Sequence, residues 1–109
     1  MSAVLRDIER EGMTLLPGGE RVRVHSGVGP DSGRVIRRAI EHAKPQLGCE
    51  VGLAFGVSTL YILEGMAPLG ARLIGMDPAQ HDATWRGGGL HNIERAGFAD
   101  RYEFHEESS

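Results

Sequence analysis

The sequence predicts an α/β fold, a parallel sheet with right-handed crossovers and helices on both faces. Two observations carry that prediction. From Leu47 to Phe104, apolar runs of strand length alternate with amphipathic stretches of helix length, the order that builds βαβ units. A glycine-containing turn stands at the first strand-to-helix junction, and an acid, Asp77, closes the second strand. Open α/β sheets bind ligands at these carboxyl ends.

The composition narrows the class. A chain of 109 residues, 40% hydrophobic and 25% charged, has the makeup of one globular domain. The first twenty residues carry Arg6, Asp7, Glu9, Arg10 and Glu11, and no window approaches the roughly 20 apolar residues of a membrane span. A cytoplasmic protein with no membrane partner is expected. Cys49 is the only cysteine, which excludes an internal disulfide and a cysteine-rich zinc cage and suits a reducing compartment. The formal net charge of -3 argues against nucleic acid as a partner. Arg34, Arg37 and Arg38 read as a solvated helix surface.

Taken in order, the first elements are short. Val4, Leu5 and Ile8 lie at helical spacing among charges, so residues 1–16 are expected to hold an amphipathic helix that ends before the Pro17-Gly18-Gly19 breaker. Arg21-Val22-Arg23-Val24 alternates as a short strand does. Gly27 to Gly29 form a loop leading to Pro30, a residue favoured at the first helical position. The helix that follows carries an apolar stripe of Ile36, Ala39, Ile40 and Ala43, and Pro45 ends it. Residues 1–26 are set apart as an N-terminal helix and short strand, and residues 27–109 as the ligand-binding domain.

The second half supplies the sheet. Leu47–Val51 is predicted as its first strand, Ser58–Met66 as the crossover helix and Arg72–Met76 as the second strand. Gly48 is a weak strand residue within the first of these. Gly89–Ala96 is predicted as the next helix, with Leu90, Ile93 and Ala96 on one face, Gly97 as its cap and Phe98 packing back. Tyr102-Glu103-Phe104 is the third strand.

The densest chemical signal is the run Glu50-Val51-Gly52-Leu53-Ala54-Phe55-Gly56-Val57-Ser58-Thr59. Glycines at 52 and 56 allow a tight turn and close approach of a ligand to the backbone, while free amides at the helix start can hold polar groups. Alone, such a turn serves structure or a ligand equally well. Asp77 follows 25 residues after Gly52, where a carboxylate can accept from both hydroxyls of a ribose; its structural alternative is an N-cap. Both features on one βαβ unit favour a nucleoside cofactor. A dinucleotide fingerprint would need glycines where Ala54 and Val57 stand. Glu50, two residues before Gly52, would repel a pyrophosphate but suits an ammonium and a sulfonium.

The stretch Cys49 to Ile62 resembles motif I of class I S-adenosylmethionine-dependent methyltransferases, in a bacterial O-methyltransferase-like subgroup. Gly75-Met76-Asp77-Pro78 is similar to the segment after that subgroup's second strand, and Gly89 to Phe104 resembles its next helix and strand. The match runs over about residues 27–109. The resemblance implies a Rossmann-like sheet of which these strands are the 3-2-1 half, truncated before four further strands. It implies S-adenosylmethionine as cofactor and methyl transfer to a small-molecule acceptor. Glu50 and Ser58 would stand at the methionine end, Gly52, Ala54 and Gly56 would shape the loop, Asp77 would hold the ribose, and Glu107 and Ser108 would flank the adenine. Catalytic residues would lie in the missing strands, so none is named.

Other residues carry less. His25, His42, His81, His91 and His105 show no ligand spacing, and no metal is assigned. Trp85, near Gly87, could cover the cofactor or anchor the loop, and anchoring is expected. The strand Leu47–Val51 would be an open edge, so self-association is expected. A non-catalytic half-domain acting through association with another chain is the alternative function.

Overall fold

The computed structural model describes residues 1–108. Helix α1 (Ala3–Glu11) starts where the Ser2 hydroxyl accepts the Leu5 N–H at 3.2 Å. It stops at Gly12, whose left-handed backbone (φ 67°) lets its N–H reach the Ile8 carbonyl. The helix therefore ends sooner than the Pro17 breaker suggests. Met13–Leu15 forms strand β1, paired antiparallel with β2 (Arg21–Arg23). Pro17, Gly18 and Gly19 turn a hairpin between them instead of following a helix, closed by the Leu16 N–H on the Glu20 carbonyl.

Helix α2 (Pro30–Ala43) begins with Pro30 in its first turn and ends at Lys44, whose N–H caps Ile40. Strand β3 (Leu47–Val51) leads to α3 (Val57–Met66), then β4 (Arg72–Met76), α4 (Gly88–Arg95) and β5 (Tyr102–His105). The three strands form a parallel sheet in the order β3-β4-β5, with Cys49 opposite Ile74 and Ile74 opposite Glu103. The class and the strand order match the sequence expectation.

The pleat divides the sheet into two unlike faces. Leu73, Gly75, Tyr102 and Phe104 turn toward the helices, and Tyr102 and Phe104 pack on the core beneath them. The terminal methyl of Met66 fills the space over Gly48, which is why a glycine sits in an intact strand. Leu47 and Val51 point the other way and remain 62% and 60% exposed, with Cys49 exposed between them. Among the described residues the helices pack on the first of these faces, where helices on both were expected; the α/β class is otherwise as predicted. Two successive right-handed crossovers running in the same direction deliver α3 and α4 to the same side.

The core joins α1, α3, the sheet and α4. Leu5, Leu60, Leu63 and Leu73 are almost wholly buried, each contributing about 1.5–3 kcal/mol. Val4, Leu5 and Ile8 belong to the same cluster as Leu60 and Ile93, so residues 1–26 share the core of the rest. Helices α2 and α3 meet closely because Gly33 and Gly65 leave no room for a side chain: the Tyr61 ring lies on one and Ile40 on the other.

Candidate functional site

The chain leaves β3 through a loop that repeatedly enters left-handed backbone, at Gly52 (φ 90°), Ala54 (φ 53°) and Gly56 (φ 80°). Asp77, at the end of β4, holds this loop. Its Oδ2 accepts the N–H groups of Leu53 at 2.9 Å and Ala54 at 3.3 Å, and its Oδ1 accepts that of Ala79 at 2.9 Å. Burial acts to raise the Asp77 pKa, but the N–H groups of Ala79, Leu53 and Ala54 together outweigh it and hold the carboxyl below its ordinary value. Asp77 is thus an anion at neutral pH, with one acceptor position left on Oδ1.

Glu50, half-buried on β3, is bonded to the first turn of α3. The Ser58 hydroxyl donates to its Oε2 at 2.7 Å and the Thr59 hydroxyl to its Oε1. Each oxygen keeps a second lone pair. Thr59 is fully buried and fixes the carboxylate from behind.

Two buried amides brace the loop from the far side. Gln80 donates to the Ala54 carbonyl at 2.9 Å and accepts the N–H groups of Gly89 and Leu90 at the start of α4, where a helix has no partners of its own. Asn92 donates to the Phe55 carbonyl at 2.9 Å and accepts the Thr14 hydroxyl at 2.8 Å. Hairpin β1–β2, α4 and the loop are thereby one polar network. The sequence reading missed Thr59, Gln80 and Asn92. Their only signal is a polar residue set among apolar helix or turn positions.

These elements border an open pocket of about 310 Å³ at the carboxyl ends of β3 and β4. Glu50, Gly52, Ala54, Ser58 and Asp77 line it, together with Ser26 and Trp85. Gly56 lies behind the loop against Gly89. Glu107 and Ser108 are exposed beyond β5 and do not line the pocket; the Glu107 carboxylate approaches His105 at 3.4 Å. Trp85 packs on His25 and edge-on to Phe55, both with ring centres 5.1 Å away. It anchors the loop and borders the pocket at once. Ser26, like Ala54, is a non-glycine in left-handed backbone (φ 59°), and such strained positions gather at binding sites. Among the described residues no Lys, Arg or His side chain lines the pocket. No helix is long and apolar enough to cross a membrane among the described residues.

No protein-family model and no curated protein matches the sequence. Solved structures do match the fold. An O-methyltransferase from Bacillus cereus, in complex with S-adenosylhomocysteine, superposes on 75% of this chain with a TM-score of 0.64 and 24% identity, over 36% of its own length. A candidate O-methyltransferase of Klebsiella pneumoniae covers 96% of this chain with a TM-score of 0.69 and 17% identity, over 43% of its length. The chain has the fold of a class I methyltransferase. TomG of Streptomyces achromogenes, an O-methyltransferase of tomaymycin synthesis solved with S-adenosylmethionine, shares that methyltransferase fold over 72% of this chain, with a TM-score of 0.63 and 18% identity, over 34% of its length. The chain spans less than half the length of each of these structures and corresponds to the N-terminal half of the methyltransferase fold.

Proposed function

We propose that the pocket binds S-adenosylmethionine and that the chain is the cofactor-binding half of a methyltransferase acting on a small-molecule acceptor. The observation that carries this reading is the pairing of two carboxylates, Glu50 and Asp77, in one pocket without a basic side chain. Such a pocket repels a diphosphate and favours a ligand with an ammonium, a sulfonium and hydroxyl donors. The spare lone pairs of Glu50 and Asp77 suit those donors. The open space over Gly52 gives a ligand close access to the backbone.

In this reading Glu50 and Ser58 hold the methionine end, Asp77 the ribose, and Gly52, Ala54 and Gly56 set the shape of the loop. Glu107 and Ser108, beyond the end of β5 and outside the pocket lining of this structure, would flank the adenine. Bound S-adenosylmethionine supplies an electrophilic methyl group. The contribution of this chain is to fix the donor so that an acceptor can approach in line. Titration calorimetry with S-adenosylhomocysteine tests the reading: Asp77→Ala is expected to bind at least about tenfold more weakly than wild type, and Glu107→Ala less so. Equal affinity of wild type and Asp77→Ala overturns the ribose assignment.

A second reading is association with another chain, without turnover. The free edge of β3 supports it, since Leu47, Cys49 and Val51 are exposed and neither proline nor lysine interrupts the strand. A second copy of the chain meeting this edge would also stand beside the pocket mouth at Val51 and Gly52.

A further inference from the structure

A second cavity, of about 230 Å³, lies across Ser26 from the proposed cofactor pocket, between α1, the loop 24–30 and α3. Ser26 lines both. The walls are largely apolar, from Ile8, Val24, Val28, Pro30 and Val57; the polar groups are Glu9, Tyr61, Ser26 and His25, whose Nδ1 lies 3.3 Å from the Ser26 hydroxyl. The Tyr61 phenol donates to Glu9 Oε1 at 2.5 Å.

Glu9 is the unusual member of this group. It is half-buried, and among the described residues its carboxylate has no hydrogen-bond donor besides Tyr61 and no ion-pair partner. The basic groups nearest Tyr61 are committed elsewhere: Arg34 pairs with Asp31 and Arg37 with Glu64. A carboxylate facing apolar walls with one neutral donor lacks the cation that would offset its lost hydration. Burial and the bond to Glu9 keep the Tyr61 phenol protonated, so the pair presents acceptor positions to the cavity and no free donor.

We infer that this cavity binds a small organic amine, its protonated nitrogen against the free Glu9 oxygen and its hydrocarbon body against Val24, Val28 and Val57. An anion is repelled by Glu9, and a neutral analogue leaves the carboxylate without a counter-charge. The inference does not depend on what fills the neighbouring pocket.

Calorimetry with phenethylamine, phenethyl alcohol and hydrocinnamate, three ligands of similar shape and different charge, tests it at neutral pH. Phenethylamine is expected to bind at least about tenfold more tightly than the alcohol, with no binding of the acid. Glu9→Gln keeps an acceptor for Tyr61 and is expected to abolish the preference for the amine. Amide shifts in NMR spectra should move at Glu9, Val24 and Val28. No amine binding, equal binding of amine and alcohol, an unchanged preference in a folded Glu9→Gln, or shifts confined to Glu50, Ser58 and Asp77 would each overturn the proposal. The wild-type comparison and the shift map decide the matter even if Glu9→Gln does not fold.

Discussion

The Asp77 carboxylate and the Leu53 N–H, 24 residues apart in sequence, are joined at 2.9 Å. Through this bond the end of β4 sets the conformation of the loop after β3. With its further bonds to Ala54 and Ala79, Asp77 organises the pocket as well as bordering it. Asp77→Ala leaves these amides, that of Leu53 buried and those of Ala54 and Ala79 part-buried, without acceptors and is expected to cost about 2 kcal/mol of stability. Urea unfolding measures this, and an unchanged midpoint would refute it.

The same carboxyl makes stability depend on pH. Its pKa in the folded chain is held below the ordinary value, so its contribution is complete above the unfolded pKa of about 3.9 and is lost as pH falls through the folded value. Wild type should therefore lose stability below about pH 4 more steeply than Asp77→Asn. Unfolding midpoints collected down the acid range give both slopes, and parallel curves would contradict the prediction.

Gly89 offers a test of the brace between α4 and the loop. A methyl group at this position would run into the Ala54 carbonyl oxygen and the Leu53 side chain. Gly89→Ala is expected to destabilise by about 1–3 kcal/mol and to weaken S-adenosylhomocysteine binding with it. Gly18→Ala, in open space without a positive φ, should stay within about 0.5 kcal/mol of wild type.

The free edge of β3 predicts its own geometry of pairing. A two-fold axis at Cys49 sets Leu47 against Val51 of a second copy and Gly48 against Glu50, so no like charges meet. Opposed cysteines in antiparallel strands lie within disulfide reach. Mild oxidation should therefore yield a covalent dimer that Cys49→Ser abolishes. A monodisperse monomer in sedimentation, with no crosslink formed, would remove self-association through this edge.

What the sequence made readable follows from how far each signal reaches along the chain. The strands and helices from Leu47 to His105 were visible because each presents its own periodicity and glycine punctuation. Glu50 and Asp77 were visible because strand ends are where a carboxylate is informative, and both line the pocket. Of the hairpin only β2 was legible, from the alternation of Arg21 to Val24; β1 was hidden, since Gly12 ends α1 without a proline and three residues carry no period of their own. Gln80 and Asn92 were hidden for another reason: their partners, Ala54 and Phe55, are 26 and 37 residues away. The bare sheet face depends on the direction of both crossovers together, which no single segment records.

Trp85 is the only tryptophan of the chain, and it stands at the pocket rim between His25 and Phe55. The molecule therefore carries a built-in optical reporter. Excited at the red edge of its absorption, where Tyr61 and Tyr102 do not absorb, its emission comes from one indole at one address. A ligand that seals the rim should shift that emission to the blue, and one that loosens the packing against His25 should shift it to the red, so occupancy becomes readable in dilute solution with no label attached.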